Sequence, residues 1–252
     1  MPRFHLLAAF CCVALFASGS IVRAADDGTV LINPNGVLEG GSCHGQGFPI
    51  KICAAGHYKL TGNISVGPHT DGIDIFAADV TIDLNGFSIN GPGTCTATAA
   101  PTCSGDDVGS GIFSANDNIT VRNGSTNGFV IGVQLVGHGS LVEDVHAKNN
   151  QADGLHVWYG IVRHSTAVQN RVSGIFMKAG VLENNYAEFN YFGLFGERMT
   201  VLGNTTTNNN YGLDVTQGSV YGSNSFTIDA IADVFSSGAI SQGNNVCGTG
   251  SC

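Results

Sequence analysis

The chain has 252 residues, a formal net charge of −9 and only 12% charged residues. This acidic balance disfavours nucleic acid and anionic membranes as partners, although a local basic patch or a bridging cation would still allow an acidic glycan to bind. The 36 glycines, with abundant Asn and Thr, favour many short strands and tight turns over helices.

Residues 1–24 have the pattern of a secretory signal peptide. A basic amino terminus precedes a short apolar stretch, and Val22 and Ala24 satisfy the small-residue rule for cleavage before Ala25. The apolar stretch is too short to span a bilayer, and no later segment approaches the roughly 18 apolar residues of a transmembrane helix. Because the leader carries two arginines and no acid, the mature chain has a net charge of −11. We predict a secreted protein, extracellular or periplasmic, that does not span a membrane.

Six cysteines remain in the mature chain, and an even count in an exported protein predicts disulfides. They fall into three close pairs along the sequence, namely Cys43 with Cys53, Cys95 with Cys103, and Cys247 with Cys252. A zinc site would need a tight CxxC cluster with a partner pair, which the sequence lacks.

A repeat of about twenty residues begins after residue 110. Its lines open at glycines with successive spacings of 21, 22, 20, 19 and 19, namely Gly111, Gly132, Gly154, Gly174, Gly193 and Gly212. A fixed period of this size is typical of solenoids. A leucine-rich repeat is the alternative, but the lines lack several leucines per repeat and a helical half. A parallel β-helix fits the pattern better.

Positions within the lines form columns. The residue after each opening glycine is aliphatic, and a second aliphatic column follows, namely Val121, Val142, Val162, Leu182 and Leu202. A third column is small, namely Ala147, Ala167, Ala187 and Thr206, and three residues later come Asn150, Asn170, Asn190 and Asn209. The first two columns predict strands that face one core. The asparagines predict a repeated turn, because Asn tolerates left-handed backbone and stacked amides hydrogen-bond between coils. His164 is assigned to another turn column, with Asn184 and Asn204.

Two stretches earlier in the chain, "AGHYKLTGNISV" (55–66) and "GIDIFAADVTIDLNGFSING" (72–91), look like the first coils of such a solenoid. With these stretches and the repeat, nearly the whole mature chain resembles the right-handed parallel β-helix proteins of the pectate-lyase-like superfamily, in particular its short exported members. The resemblance implies an all-β, right-handed, single-stranded parallel β-helix. We expect eight or nine coils. The superfamily includes lyases, hydrolases, epimerases and proteins without known activity, so fold alone does not carry function.

The ends of a β-helix expose unpaired edges and an open core, which must be covered. We therefore predict one domain over 25–252, in which residues 28–53 form an amino-terminal cap and residues 230–252 a carboxy-terminal coil and cap. Residues 92–110 interrupt the period and are predicted to form a loop closed by the second cysteine pair.

The resemblance also implies where a polysaccharide would lie, because enzymes of the superfamily bind it along the outer face of the sheet opened by the repeat glycines. Strand alternation then predicts the side chains on that face. One outward column is Phe113, Gln134, His156, Phe176, Phe195 and Asp214, and its neighbour is Ala115, Val136, Trp158, Lys178, Glu197 and Thr216.

Two roles are predicted for this face. Aromatic rings stack on sugar rings, so we assign substrate binding to Trp158, Phe176 and Phe195, with Asp214 on the same face and Tyr159 at a turn beside it. Catalysis is assigned to Lys178, Glu197 and His156, as an acid or base, its charge partner and a proton exchanger. The structural alternative is that these are an ordinary cation–π contact, cross-strand ion pair and aromatic ladder that stiffen the sheet.

Other motifs are weaker. The "GHG" at 137–139 is similar to a short polygalacturonase motif but lacks its flanking residues, so we interpret His138 as a turn residue. Asp71, Asp74 and Asp83 lie near one another in sequence without calcium-loop spacing. We predict no metal site and no cofactor, with calcium left open.

The leading functional prediction is an exported protein that binds a polysaccharide or cell-surface glycan along this face. A broader version of this prediction adds processing of the glycan by a lyase, hydrolase or epimerase reaction. The alternative is a non-catalytic secreted surface, adhesion or structural protein. The oligomeric state does not follow from the sequence.

Overall fold

The computed structural model describes residues 28–38, 47–105, 109–248 and 252. The predicted signal peptide, its cleavage site and Cys43 lie outside the described residues. The described part contains strands and turns but no helix, and therefore no helix long and apolar enough to cross a membrane.

The strands of the described residues are short, as the glycine-rich composition predicts. In chain order they are β1 (Val30–Ile32), β2 (Ile50–Ile52), β3 (Gly56–Leu60), β4 (Ile64–Ser65), β5 (Ile73–Ile75), β6 (Val80–Asp83), β7 (Ser88–Asn90), β8 (Thr94–Cys95), β9 (Cys103–Ser104), β10 (Ser110–Ser114), β11 (Ile119–Asn127), β12 (Ile131–Leu135), β13 (Leu141–Lys148), β14 (Leu155–Trp158), β15 (Ile161–Arg163), β16 (Thr166–Val168), β17 (Ser173–Glu183), β18 (Tyr186–Glu188), β19 (Phe192–Leu202), β20 (Thr205–Thr207), β21 (Tyr211–Thr216), β22 (Val220–Gly222), β23 (Ser225–Thr227), β24 (Ala232–Ser237), β25 (Ile240–Ser241) and β26 (Val246–Cys247).

These strands stack in parallel on three faces of one rod. Sheet 1 contains β2, β5, β10, β12, β14, the first parts of β17 and β19, β21 and β24. Sheet 2 contains β1, β3, β6, the first parts of β11 and β13, β15, the last parts of β17 and β19, β22 and β25. Sheet 3 contains β4, β7, the last parts of β11 and β13, β16, β18, β20, β23 and β26.

Each strand of sheet 1 is followed by one of sheet 2 and one of sheet 3 before the chain returns to sheet 1. Nine strands of the described part form sheet 1, so the rod has about nine turns. The prediction of an all-β parallel β-helix of eight or nine coils is confirmed. Since parallel strands are about 4.8 Å apart, a residue on one turn contacts its counterparts on the turns before and after.

Side chains of the predicted aliphatic and small columns fill the interior. Those after the repeat glycines are fully buried, as are Val121, Val142, Val162 and Leu182. The last member predicted for that column is wrong. Leu182 pairs with Val201, which is buried, whereas Leu202 points outward from sheet 2. Both residues of "VL" at 201–202 are aliphatic, so hydropathy alone did not distinguish the inward one; the hydrogen-bond register does.

Buried asparagines stack along two corners of the rod. In the first ladder, the backbone N–H and Nδ2 of each residue donate to the Oδ1 of the next, through Asn150, Asn170, Asn190, Asn209 and finally Asp229. The second ladder runs through Asn185, Asn204, Asn224 and Asn245. Both ladders satisfy buried donors that a turn would otherwise leave unpaired.

The ladders correct two details of the predicted turns. The left-handed residue is the one before each asparagine of the first ladder, namely Asn149, Gln169, Phe189 and Asn208. Asn is therefore required for its buried amide and not for its backbone. His164 and Asn184 do share a left-handed turn position, but Asn204 belongs to the buried ladder one residue further on, the same one-residue error that misplaced Leu202.

Two of the three predicted disulfides lie fully within the described residues and are confirmed, Cys95–Cys103 and Cys247–Cys252. The first closes an antiparallel hairpin of β8 and β9, which leaves the rod between the second and third strands of sheet 3. Cys53 is disulfide-bonded, and its predicted partner is outside the described residues.

Candidate functional site

The outer face of sheet 1 contains the predicted columns in register. Gln134, His156, Phe176, Phe195 and Asp214 occupy one position on successive strands, with Phe113 one strand before Gln134 and Phe235 one strand after Asp214. Trp158, Lys178 and Glu197 occupy the neighbouring position on β14, β17 and β19. The structure therefore places all three residues predicted as catalytic on the same face as four of the five predicted to bind substrate.

A hydrogen-bonded chain fixes the histidine and tryptophan of this face. Asp153 Oδ2 lies 2.9 Å from His156 Nδ1, and the indole Nε1 of Trp158 donates to His156 Nε2 over 3.0 Å. Asp153 is itself held, because its Oδ1 accepts a hydrogen bond from the backbone N–H of Ser173. Both imidazole nitrogens are therefore occupied, with the proton on Nδ1 and the lone pair of Nε2 facing the indole.

Aromatic rings continue from this network toward the carboxy-terminal end of the rod. The His156 ring stacks on Phe176 at 4.4 Å between centroids, and Phe176 meets Phe195 edge-on at 5.5 Å. Phe195 stacks on Phe192 at 4.8 Å. The chain of contacts then passes to Tyr211 at 5.3 Å and from Tyr211 to Phe235 at 6.0 Å. We call the rings of Trp158, His156, Phe176, Phe195, Phe192, Tyr211 and Phe235 the aromatic strip.

Asp153, Phe192, Tyr211 and Phe235 are the residues of this face that the sequence prediction missed. The first three occupy a third outward position, two residues before the buried aliphatic of each strand. The signal for them was present, because Phe192 and Tyr211 recur at the repeat period of 19 residues. Phe235 lies on a ninth strand that starts beyond the last glycine-opened line.

The charged side chains at the edge of the aromatic strip pair with one another. Lys178 Nζ lies 5.0 Å from the centroid of the Trp158 ring and 3.8 Å from Glu197 Oε1. Arg198 Nη2 lies 3.0 Å from the same Glu197 oxygen. Glu197 thus contacts both cations, and neither is left as an isolated positive charge for an anionic ligand.

The remaining two predicted binding residues differ in place. Asp214 continues the central column between Phe195 and Phe235, and its half-buried position raises the pKa of its carboxyl. Tyr159 lies at the corner between sheets 1 and 2 with a left-handed backbone, and its ring stacks on His138 at 4.4 Å. Tyr159 is therefore not part of the aromatic strip, and His138 is part of a turn stack, as predicted.

The amino-terminal part of the same face has different chemistry. Burial first, and the nearby Asp71 second, raise the pKa of Asp74 to about 6. Lys51 occupies the same column one turn earlier, and Phe113 one turn later. Asp83 lies on sheet 2 beside Arg122, so the three aspartates do not converge. Within the described ranges, no group of three or more His, Cys, Asp or Glu is positioned to hold a metal ion.

Comparisons with known proteins give few matches. No family model matches the chain, and no curated protein matches its sequence. A solved structure similar to the chain is the A-module of the mannuronan C-5 epimerase AlgE6 of Azotobacter vinelandii, at 15% sequence identity and a TM-score of 0.37. The similarity covers 76% of this chain and 63% of that module, so the chain spans less than two thirds of the module's length.

Proposed function

We propose that the protein is exported and binds a neutral polysaccharide along the aromatic strip of sheet 1. The observation that carries the proposal is the continuity of the strip. Its rings cover five successive strands, and at about 4.8 Å per strand they extend roughly 19 Å along the rod. Rings on a sheet face stack on the apolar faces of sugars, so a linear glycan lying parallel to the rod axis would meet a ring on every turn.

Charge distribution favours a neutral ligand over an acidic one. Lys178 and Arg198 are both paired with Glu197, while Asp153 and Asp214 place further carboxyl groups within or beside the strip. A polyuronate would bring additional negative charge to a strip whose cations are already paired with Glu197 and beside which Asp153 and Asp214 lie. The hydroxyl of Tyr211 and the amide of Gln134 leave neutral hydrogen-bonding groups for sugar hydroxyls.

The contacts of the three predicted catalytic residues favour binding without turnover. His156 uses both ring nitrogens in the network with Asp153 and Trp158, and Lys178 is engaged by Glu197 and the indole. A general base needs a free lone pair within reach of the substrate. We therefore assign these side chains to positioning Trp158, and the proposed activity is that of a glycan-binding module.

The test is a titration of the protein with soluble glucan, xylan and mannan and with polyuronates, with and without calcium. Trp158 is the only tryptophan, so its fluorescence reports binding at the strip directly. We expect neutral chains to bind. Isothermal titration calorimetry, which does not depend on the indole, should show that Trp158→Ala weakens binding at least about tenfold, or roughly 1.4 kcal/mol. No release of reducing ends or unsaturated products is expected.

Tyr186→Ala is the matched control, because it removes an aromatic side chain from the outer face of sheet 3. This variant should bind as tightly as the unmodified protein. Failure of every glycan to bind would refute the proposal and favour the structural role, in which the strip only stiffens the sheet. Tight binding of polyuronates alone would refute the neutral-ligand assignment.

A further inference from the structure

One outward column of sheet 2, which we call the charge ladder, has an unusual order of side chains. On eight successive strands the column reads Leu31, Lys59, Asp83, Arg122, Glu143, Arg163, Glu183 and Leu202. Leucines occupy the first and last of these eight positions, Gly222 follows Leu202 on the next strand, and the six charges between the leucines alternate in sign. Because their number is even, reversing the column changes the sign at every charged position and leaves the leucines in place.

Ion pairing within one chain uses only the middle of the charge ladder. Arg163 donates to Glu143 Oε2 through Nη2 at 2.6 Å and Nε at 3.0 Å, and Arg122 Nη2 lies 3.6 Å from Asp83 Oδ2. Lys59, at one end, forms no ion pair within the described part of the chain. The same holds for Glu183 at the other end.

These two end charges are too far apart to compensate each other within one protomer. Lys59 and Glu183 are five strands apart, which corresponds to roughly 24 Å. Interactions between exposed charges are largely screened beyond about 8 Å at physiological ionic strength. The two end charges therefore do not compensate each other, and a second chain would bring an opposite charge to each of them.

We propose that sheet 2 is a self-association face, and that its occupant is a second copy of this chain packed antiparallel across a two-fold axis. The axis runs along the strands, between Arg122 and Glu143. Such an axis places each column opposite the same column of the other copy, and the order of the strands in that copy is reversed. A two-fold contact of this kind is isologous and closes as a dimer.

This symmetry gives every member of the charge ladder a complementary partner. Lys59 faces the partner's Glu183, and Asp83 faces the partner's Arg163. Arg122 faces the partner's Glu143 at the centre, and Leu31 faces the partner's Leu202 at each end. The two unpaired charges of one chain are thus paired twice in the dimer, once at each end.

The adjacent outward column supplies apolar and small side chains to the same contact. Thr81, Thr120, Leu141 and Ile161 occupy one position on successive strands, beside the charged residues, and Ile161 is 40% exposed. Under the two-fold, Thr120 faces the partner's Leu141 and Thr81 faces the partner's Ile161. These short side chains allow the two flat sheets to approach to the usual spacing of about 10 Å.

The size of the face predicts a weak dimer. Eight strands extend roughly 34 Å, and three residues of each strand add about 10 Å in width, so the flat footprint is on the order of 350 Å² per copy. Side-chain relief increases the accessible area, but the total stays at the low end of specific interfaces, near 1,200 Å² or below. Association should be concentration-dependent and should weaken with added salt.

The experiment is sedimentation equilibrium of the full mature chain over a range of protein concentrations at low and high salt. At low salt we expect a monomer–dimer equilibrium. Glu183→Lys and Lys59→Glu should each raise the dimer dissociation constant roughly tenfold or more, because each change places two like-charged pairs across the interface. The double variant restores opposite charges at both positions and should return to within about threefold of the unmodified protein.

Rescue in the double variant is decisive, because the two residues do not interact within one chain. Glu188→Lys is the matched control, since it makes the same charge change on sheet 3. A monomer at all concentrations in low salt, a double variant as weak as the singles, or an equal loss in Glu188→Lys would each overturn the proposal. Circular dichroism and thermal unfolding establish that every variant is folded.

Discussion

The buried asparagine ladders and the outer columns of sheet 1 occupy the same turns of the rod but follow opposite rules. The first ladder repeats one side chain, Asn150, Asn170, Asn190 and Asn209, without exposure to solvent. The outer column beside it changes from Gln134 to His156 to Phe176 over three turns. A buried turn must satisfy the same donors on each coil, whereas an exposed face has no such requirement. Repetition therefore identifies residues that hold the rod together, and variation identifies those free to recognise a ligand.

The strongest way to break the ladder is to remove an amide from its middle. Asn190 accepts from the backbone and side chain of Asn170 and donates to Ala167 O and Asn209 Oδ1. Asn190→Ala leaves several buried groups unpaired, so we expect a loss of about 3–5 kcal/mol in the free energy of unfolding. Chemical denaturation measures the loss. Thr205→Ala, on the outer face of sheet 3, should cost less than about 1 kcal/mol, and equal losses would contradict the comparison.

The free energy of unfolding should increase when Asp229, the last member of the first ladder, is changed to an amide. Asp229 is 4% exposed and accepts from Asn209 and from the hydroxyl of Thr206. Burial is the dominant effect and raises the pKa of Asp229 to about 6 against these hydrogen bonds. A raised carboxyl pKa stabilises the fold below the unfolded value of 3.8, and that stability is lost as the pH rises to about 6.

Asp229→Asn removes this titration and continues the ladder with an amide. We expect the variant to exceed the unmodified protein by roughly 2–3 kcal/mol at neutral pH, and the difference to shrink below pH 4. Denaturation at several pH values measures both. A neutral-pH destabilisation, or a difference that does not depend on pH, would refute this account.

The outer columns should show the reverse behaviour, a large local response with little effect on stability. His156→Gln removes the imidazole acceptor for the indole of Trp158, while Asp153 and Lys178 remain beside the site. We expect the tryptophan emission of the variant to move to longer wavelength, with the free energy of unfolding changed by about 1 kcal/mol or less. Fluorescence and chemical denaturation measure the two quantities. An emission spectrum identical to that of the unmodified protein would contradict the link between the imidazole and the indole.

Much of the fold could be predicted from the sequence because the residues that are buried are also the ones that recur at the repeat period. Apart from Leu202, the aliphatic columns were correct, as were the outward columns through His156 and Trp158, since a two-residue alternation counted forward from each glycine gives a definite face. The same alternation does not predict the faces of the residues that precede the glycine. A side chain at Gly174 would lie within 3 Å of Gly193 O and Asn190 Nδ2, so the chain here passes close to the next turn and leaves the regular strand geometry.

That is why Asp153 and Phe192, on the far side of the glycine, were missed. The role of His156 could not be read from sequence for another reason. Both of its ring nitrogens are occupied by residues two and three positions away, and whether such neighbours meet depends on side-chain rotamers. Sequence spacing placed the histidine on the correct face, but only the geometry shows that its lone pair is used.

The first asparagine ladder also has a direction, and its end has a meaning for the length of the protein. The Oδ1 of each amide accepts hydrogen bonds from the turn before, and its Nδ2 donates to the turn after. Asp229 receives but has no side-chain N–H to pass on. The side-chain hydrogen bonds of the first asparagine ladder therefore end at the carboxylate of Asp229. Engineered copies of a coil inserted before Asp229 should extend the rod, whereas copies placed after it would meet a side chain that no longer donates to the next turn.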